Sequence, residues 1–366
     1  MPNIFRQSGE ESRIFKDESC LLPDFLPQEL PGREKEIREL VYCLKPAAES
    51  KQPHHALLVG PPGTGKTSSA RFVLKQLLEY SQRPVAVYLN CWEAPSRFAV
   101  FGAIAEALGE FMPRRGIAAD EVFLRIVEIA KKEGKVLVAV LDEVDRLAAQ
   151  PEGAQVLYDL CRAGELHSLK VGVLAITNDE QFHARLDPRV RSSFIQNVLH
   201  FKPYTMPQLK EILLARAKLA FFDNSIEPDV VPLCAAVAYK SGGDARAALS
   251  LLFSAGKAAE REGAQKVSIL HVRQAQDLSL QRVAVKAERV LEEMDSLDKR
   301  IIQEIKNAGQ VGIESGRLYE VLSSVAKERA IRNRIDRLEK SGIIVLEPAP
   351  LKRGKSRIIR LKGKGV

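Results

Sequence analysis

The run Gly60-Pro61-Pro62-Gly63-Thr64-Gly65-Lys66-Thr67 leaves this chain few folds to choose from. It follows an apolar segment at 56–59 and opens a stretch with helical spacing of apolar residues. Strand, glycine-rich loop and helix, in that order, let a backbone wrap phosphate groups with its N–H groups turned inward. Glycines are needed because such a loop passes through conformations that side chains disfavour. The start of the following helix adds its own partial positive charge. In this setting Lys66 reaches the β- and γ-phosphates, Thr67 ligates magnesium, and Gly60 through Ser68 form the phosphate-binding set.

Four more apolar runs, at 85–89, 136–141, 171–176 and 197–201, alternate with helical patterns up to about residue 203. The runs at 136–141 and 171–176 are almost wholly apolar, as strands covered on both faces must be. The expected fold is therefore α/β, with five parallel strands joined through helices. The run at 136–141 leads into Asp142-Glu143-Val144-Asp145. Carboxylates at the C-terminal end of a buried strand lie where open parallel sheets bind ligands. Asp142 there holds magnesium, and Glu143 acts as general base on water. An acidic helix start is the plainer alternative. Asn178, which ends the next strand, suits the positioning of the same water. A turn-forming Asn is nearly as common there.

Beyond Pro203 the strand signal stops. Segments 205–222, 228–239, 244–262 and 268–290 read as helices, an all-α second layer ending in a long connecting helix. Segments 297–307, 315–323 and 327–340 then read as three short helices, with Gly342 as C-cap. Strands at 343–347 and 357–361 follow, and three helices before a basic hairpin is the layout of a winged helix. The division expected is a tail at 1–30, an ATP-binding layer at 31–203, a lid at 204–293 and a winged helix at 294–366.

Charge matters most in that last region. The chain has 55 Lys and Arg against 47 Asp and Glu, a formal net charge of +8, and Lys352–Lys364 holds seven basic residues and no acid. In 327–340, Ile331, Ile335 and Leu338 share one helical face, leaving Arg329, Arg332, Asn333, Arg337 and Lys340 opposite. Arg and Asn on an exposed helix suit phosphates and base edges in a major groove. Lys352, Arg353, Lys355 and Arg357 form a positive hairpin tip. Asp336 and Glu339 dilute the helix charge, so phosphate contacts dominate and affinity falls steeply with salt. A solvated charged helix, or a protein-docking module, is the alternative. No apolar run reaches the 18 residues of a membrane span, and residues 1–15 lack the apolar stretch of a secretory signal. Five scattered cysteines fit a reducing interior, so the expectation is a cytoplasmic, nucleoid-associated protein without a membrane partner.

With these motifs the chain resembles the AAA+ superfamily, and more narrowly the archaeal replication initiators related to the origin-recognition complex and the cell-division-control helicase loader. The resemblance covers nearly the whole sequence. It implies ATP or ADP with Mg2+ as cofactors, and origin duplex DNA, the replicative helicase and a paralogous initiator as partners. Leu30-Pro31-Gly32-Arg33-Glu34 is similar to the family segment that packs on adenine, which implies Arg33 near the nucleotide. Ser241-Gly242-Gly243-Asp244-Ala245-Arg246 resembles the family's second sensor, which implies Arg246 reaching the γ-phosphate from the lid. An extra helical element is implied between Trp92 and Gly116, with Arg114 and Arg115 near its tip touching DNA. Leu186 to Phe194 resembles the arginine-finger segment, but Ser193 stands where several relatives have arginine. Arg189 or Arg191 substitutes, or the finger is lost.

A lost finger implies slow, regulatory hydrolysis by Lys66, Glu143, Asn178 and Arg246, because a finger supplied in trans is worth about 10³–10⁵ in rate. The leading expectation is an ATP-regulated replication initiator. An ATP-dependent winged-helix transcriptional regulator and a clamp-loader-like or remodelling ATPase are the alternatives.

Overall fold

The computed structural model describes residues 13–111, 116–194, 197–278, 295–309, 312–340, 343–348 and 357–361. The chain forms two compact units that divide between Ala275 and Gln276.

The first unit holds a parallel sheet of β1 (Ala56–Val59), β2 (Pro84–Asn90), β3 (Val136–Asp142), β4 (Val171–Thr177) and β5 (Val198–His200). Strand order is β2-β3-β4-β1-β5, and every pairing is parallel. Around it pack α1 (Glu34–Ala48), α2 (Lys66–Tyr80), α3 (Arg97–Ala107), α4 (Ala119–Lys132), α5 (Val144–Ala148), α6 (Pro151–His167), α7 (Phe182–Arg185) and α8 (Pro188–Phe194).

The two-residue period of β3 explains why it is buried throughout. Leu137, Ala139 and Leu141 enter one apolar cluster, with α3, α4 and α6. Val136, Val138 and Val140 enter the other, with α1 and α2. The register sets Asn90 beside Asp142, and Val59 beside Thr177. Polar residues from three strand ends are thereby gathered at one rim of the sheet.

The crossover after β2 contains two helices packed on each other, α3 within the 92–116 span and α4 beyond it. Ser96 caps α3 through a 3.2 Å bond from the Ala99 amide. Arg97 then ties α3 to Asp120 at the start of α4 and to Asp159 of α6. Arg114 and Arg115 lie outside the described residues.

The lid comprises α9 (Met206–Ala220), α10 (Val230–Lys240), α11 (Ala245–Arg261) and a helix at 269–278, α12. The N-terminal segment is part of its core. Ile14, Phe15, Cys20 and Leu21 are buried among lid residues, and Phe15 bridges Phe221. The buried Arg216 of α9 donates to the Cys20 and Phe25 carbonyls at 2.9 and 3.1 Å. The expected helix at 268–290 is described only to 278, and the expected boundary at 293/294 falls outside the described residues.

The second unit runs α13 (Ser296–Asn307), β6 (Ile313–Glu314), α14 (Ser315–Leu322), α15 (Glu328–Lys340), β7 (Ile344–Pro348) and β8 (Arg357–Leu361). Its antiparallel sheet has the order β6-β8-β7, so helices and strands follow the winged-helix layout. Two residues carry no periodicity, so nothing in the sequence marks β6. Ile331, Ile335 and Leu338 are buried with Ile301, Ile302 and Ile305, as their spacing demands. Gly342, Lys352, Arg353 and Lys355 lie outside the described residues.

Candidate active site

A cleft of about 440 Å³ opens at the C-terminal rim of the sheet, within the first unit. The loop from Gly63 to Ser68 lines it, with Asp142, Glu143 and Asn178 from the ends of β3 and β4. Arg246 faces it from the first turn of α11. Leu22, Phe25, Leu26, Pro31 and Ile212 give the far end an apolar lining.

The loop's shape depends on glycine at two crowded places. A Cβ on Gly63 would stand 1.8 Å from Asp244 Oδ1, and Gly63 has φ +71°. A Cβ on Gly65 would stand 2.4 Å from the Tyr204 hydroxyl, at φ +85°. Only glycine admits such approach in the left-handed region without strain. The approach at Gly63 joins loop to lid. The Ala245 amide donates to the Gly63 carbonyl at 3.1 Å, and Asp244 caps α11 through the Arg246 and Ala247 amides at 2.7 and 3.2 Å.

Lys66 is 5% exposed. Its ammonium donates to the Gly60 and Pro61 carbonyls at 2.7 and 2.8 Å. Burial pulls its pKa down to about 8; the neighbouring Asp142 opposes that shift, Arg246 and Arg33 add to it, and Glu143 opposes it least. A lysine so placed retains a strong incentive to meet an anion. Gly60, Pro61 and Pro62 themselves do not line the cleft.

Asp142 collects three donors. Thr67 Oγ1 and the Tyr88 hydroxyl each donate to Oδ2 at 2.7 Å, and the Glu143 amide donates to Oδ1 at 2.9 Å. Burial, and the charge of Asp142 beside it, push the Tyr88 phenol up and keep it a donor. A hydroxyl and a carboxylate 2.7 Å apart form an all-oxygen set of the kind magnesium prefers. No cluster of three or more His, Cys, Asp or Glu able to hold a metal occurs among the described residues. Magnesium at this pair would thus complete its shell with phosphate oxygens and water. The residues present fit both groups.

Glu143 takes a left-handed backbone, φ +55°, and its side chain accepts from the indole N–H of Trp92. Trp92, 58% exposed, is the chain's one tryptophan, and the Arg146 guanidinium lies 4.3 Å from its ring centroid. Asn90 lines the cleft and accepts the Trp92 amide at 3.0 Å. Asn178 is exposed at the end of β4 and lines the cleft. Asp145 is turned instead to Thr177, whose hydroxyl donates to it at 2.7 Å.

Arg33 requires a correction. It is 3% exposed and does not line the cleft. Its guanidinium donates to the Thr64 carbonyl at 2.8 Å and the Lys202 carbonyl at 2.6 Å, and lies 3.9 Å from the Tyr204 ring centroid. It therefore braces the phosphate loop from behind. A buried guanidinium with several donors satisfies loop carbonyls better than it would remain poised for a ligand.

Neither Arg189 nor Arg191 faces this cleft. Arg189 pairs with Asp187 at 3.1 Å and covers the Tyr158 ring. In the second unit Arg329, Arg332 and Asn333 are exposed along α15, and Arg357 is exposed at the start of β8. Arg332 pairs with Glu328 within its own helix at 2.9 Å. Arg337 is exposed on the same helix. It pairs, with Arg334, to Asp298, whose side chain is 0% exposed. An uncompensated buried carboxylate is costly, so Arg337 has a structural partner while half of its side chain stays exposed.

Tyr88, Asn90, Trp92 and Arg71 belong to no motif in the sequence, yet the structure brings them to the site. Tyr88 and Asn90 alternate on one strand near its C-terminal end, which was a usable signal.

The family model described as "AAA ATPase domain" matches residues 29–174, and "Cdc6 AAA+ ATPase-type lid domain" matches residues 210–277. ORC1-type DNA replication protein 1 of Sulfurisphaera tokodaii is 37% identical over 353 residues, 92% of this chain and 87% of that protein. ORC1-type DNA replication protein 1 of Aeropyrum pernix is 41% identical over 295 residues, 78% of this chain and 73% of that protein. The structure of the Aeropyrum pernix ORC1 protein in complex with DNA superposes with a TM-score of 0.74 at 35% identity, covering 97% of this chain and 95% of that one. The Pyrobaculum aerophilum Cdc6p crystal structure, at 23% identity and a TM-score of 0.65, shares the fold. The chain belongs to the ORC1-type DNA replication protein family of AAA+ ATPases.

Proposed function

We propose that the protein is an ATP-controlled replication initiator: it binds Mg2+-ATP in the cleft, hydrolyses it slowly, and holds origin duplex DNA through its C-terminal unit. The observation that carries the reading is the convergence of Lys66, the Thr67–Asp142 pair, Glu143 and Arg246 on one cleft floored by a glycine loop. Magnesium, when bound, would neutralise phosphate charge at Thr67 and Asp142. The loop amides and Lys66 hold the triphosphate, Glu143 accepts the proton of the attacking water, and Asn178 orients that water. Arg246 meets the terminal phosphate from the lid. A terminal phosphate bridging Lys66 and Arg246 ties the loop to α11, and cleavage at the γ-position removes that tie.

Hydrolysis is slow in this reading, since Ser193 stands in the finger segment where an arginine supplied to a neighbouring copy would be expected. The DNA assignment draws on the relative whose structure is in complex with DNA and on exposed Arg329, Arg332, Asn333 and Arg357. Arg114, Arg115, Lys352, Arg353 and Lys355 are proposed to add phosphate contacts. Helicase recruitment, and work beside a paralogous initiator in the cytoplasm on the nucleoid, complete the proposal.

Genome-wide occupancy together with footprinting on the organism's replication origin tests it. Protection at origins that differs between ATP and ADP is expected. Occupancy concentrated at promoters would replace this reading with transcriptional regulation.

A further inference from the structure

Arg71 belongs to none of the motifs above, yet it lines the cleft. It stands on α2 one turn beyond Thr67 and Ser68, and all three side chains border the same space. Its guanidinium lies 5.5 Å from the centroid of the Tyr88 ring. Tyr88 in turn donates to Asp142 Oδ2, the oxygen that Thr67 also reaches. Arg71 is therefore at the end of the cleft where the metal ligands and Glu143 meet, not at the apolar end.

Apart from Arg246, already assigned to the terminal phosphate, the other cations near the cleft are engaged. Arg33 holds the Thr64 and Lys202 carbonyls, Arg216 holds those of Cys20 and Phe25, and Lys66 those of Gly60 and Pro61. No carboxylate lies within ion-pair distance of Arg71 among the described residues. A ring face is a weak partner for a guanidinium where water has access. A phosphate offering two coplanar oxygens is a far better one.

We infer that Arg71 is a further catalytic residue, leaving the Tyr88 ring to hold the terminal phosphate of bound ATP and stabilising the charge that develops there, within the same chain. The inference rests on the ATP reading of the cleft. It gives the chain two arginines of its own on the phosphate, Arg71 from the P-loop helix and Arg246 from the lid. Hydrolysis then proceeds in a single copy.

The test compares intact wild type with Arg71→Ala, Arg71→Lys and Lys66→Ala, measuring ATP and ADP affinity and single-turnover hydrolysis over a range of protein concentrations. Arg71→Ala is expected to slow hydrolysis on the order of tenfold to hundredfold. It should also erase most of the preference for ATP over ADP, with ADP affinity little changed. Arg71→Lys should restore part of the loss, and the wild-type rate constant should not depend on protein concentration. Unchanged hydrolysis in Arg71→Ala overturns the inference. Equal losses for ATP and ADP with a lowered Tm also overturn it, by making Arg71 a structural residue. A wild-type rate that climbs with concentration and ignores Arg71→Ala assigns the role to an arginine of a second copy. Retention of nucleotide by Lys66→Ala strikes instead at the reading beneath.

Discussion

Raising the pH through 8 should weaken ATP binding, and the size of the effect follows from Lys66. Burial lowers its pKa from 10.5 to about 8. A triphosphate requires the charged form, so binding at higher pH must first put a proton back on the amine. At pH 7 nearly every molecule carries that proton, and at pH 9 about one in eleven does. The dissociation constant should rise about tenfold between those values, or about 1.4 kcal/mol. Calorimetry of Mg2+-ATP binding in buffers of different ionisation heat measures both quantities. Proton uptake near one half at pH 8, rising toward one at pH 9, is expected. The sign is opposite for stability: the fold disfavours charged Lys66, so this group adds stability as pH rises from about 8 toward 10.5. An affinity flat from pH 7 to 9, or proton release on binding, would refute the reasoning.

Other perturbations have equally definite outcomes. Asp244→Ala removes the cap of α11 and should cost about 1 kcal/mol in chemical denaturation, with weaker ATP affinity because Arg246 starts that helix. Trp92→Phe frees an oxygen of Glu143 to meet the attacking water; kcat should rise a few-fold with KM unchanged, and a fall in kcat would refute this. Burial drops the His55 pKa to about 4, while the unfolded chain takes up its proton near 6.5. Stability should fall by about 2 kcal/mol between pH 7 and 5, and His55→Gln should flatten that fall. Arg329→Ala should weaken duplex binding and lower the salt slope by about one, with domain stability unchanged, whereas Arg337→Ala should lower the Tm of the second unit.

Where a residue's role is set by local backbone chemistry, the sequence announced it. Gly63, Gly65, Lys66 and Thr67 are fixed by what a phosphate loop needs, and the apolar strands β3 and β4 by burial on both faces. Roles created by packing between distant segments were not legible. Arg33 read as a ligand contact, because nothing near it in sequence shows the Thr64 and Lys202 carbonyls that claim it. For Arg337, nothing near it in sequence shows its pairing with the buried Asp298, 39 residues away along the chain. Arg71 was one arginine on a helix until β2 brought Tyr88 beneath it.

The account stands or falls on nucleotide in one unit governing duplex held by the other. Duplex affinity at fixed salt should be measured for wild type and Lys66→Ala, each with ATP and with ADP. Wild type should bind origin duplex differently in the two nucleotides, and the variant should bind it alike in both while keeping its salt-dependent affinity. No difference in wild type, or a folded variant without any hold on duplex, would contradict it.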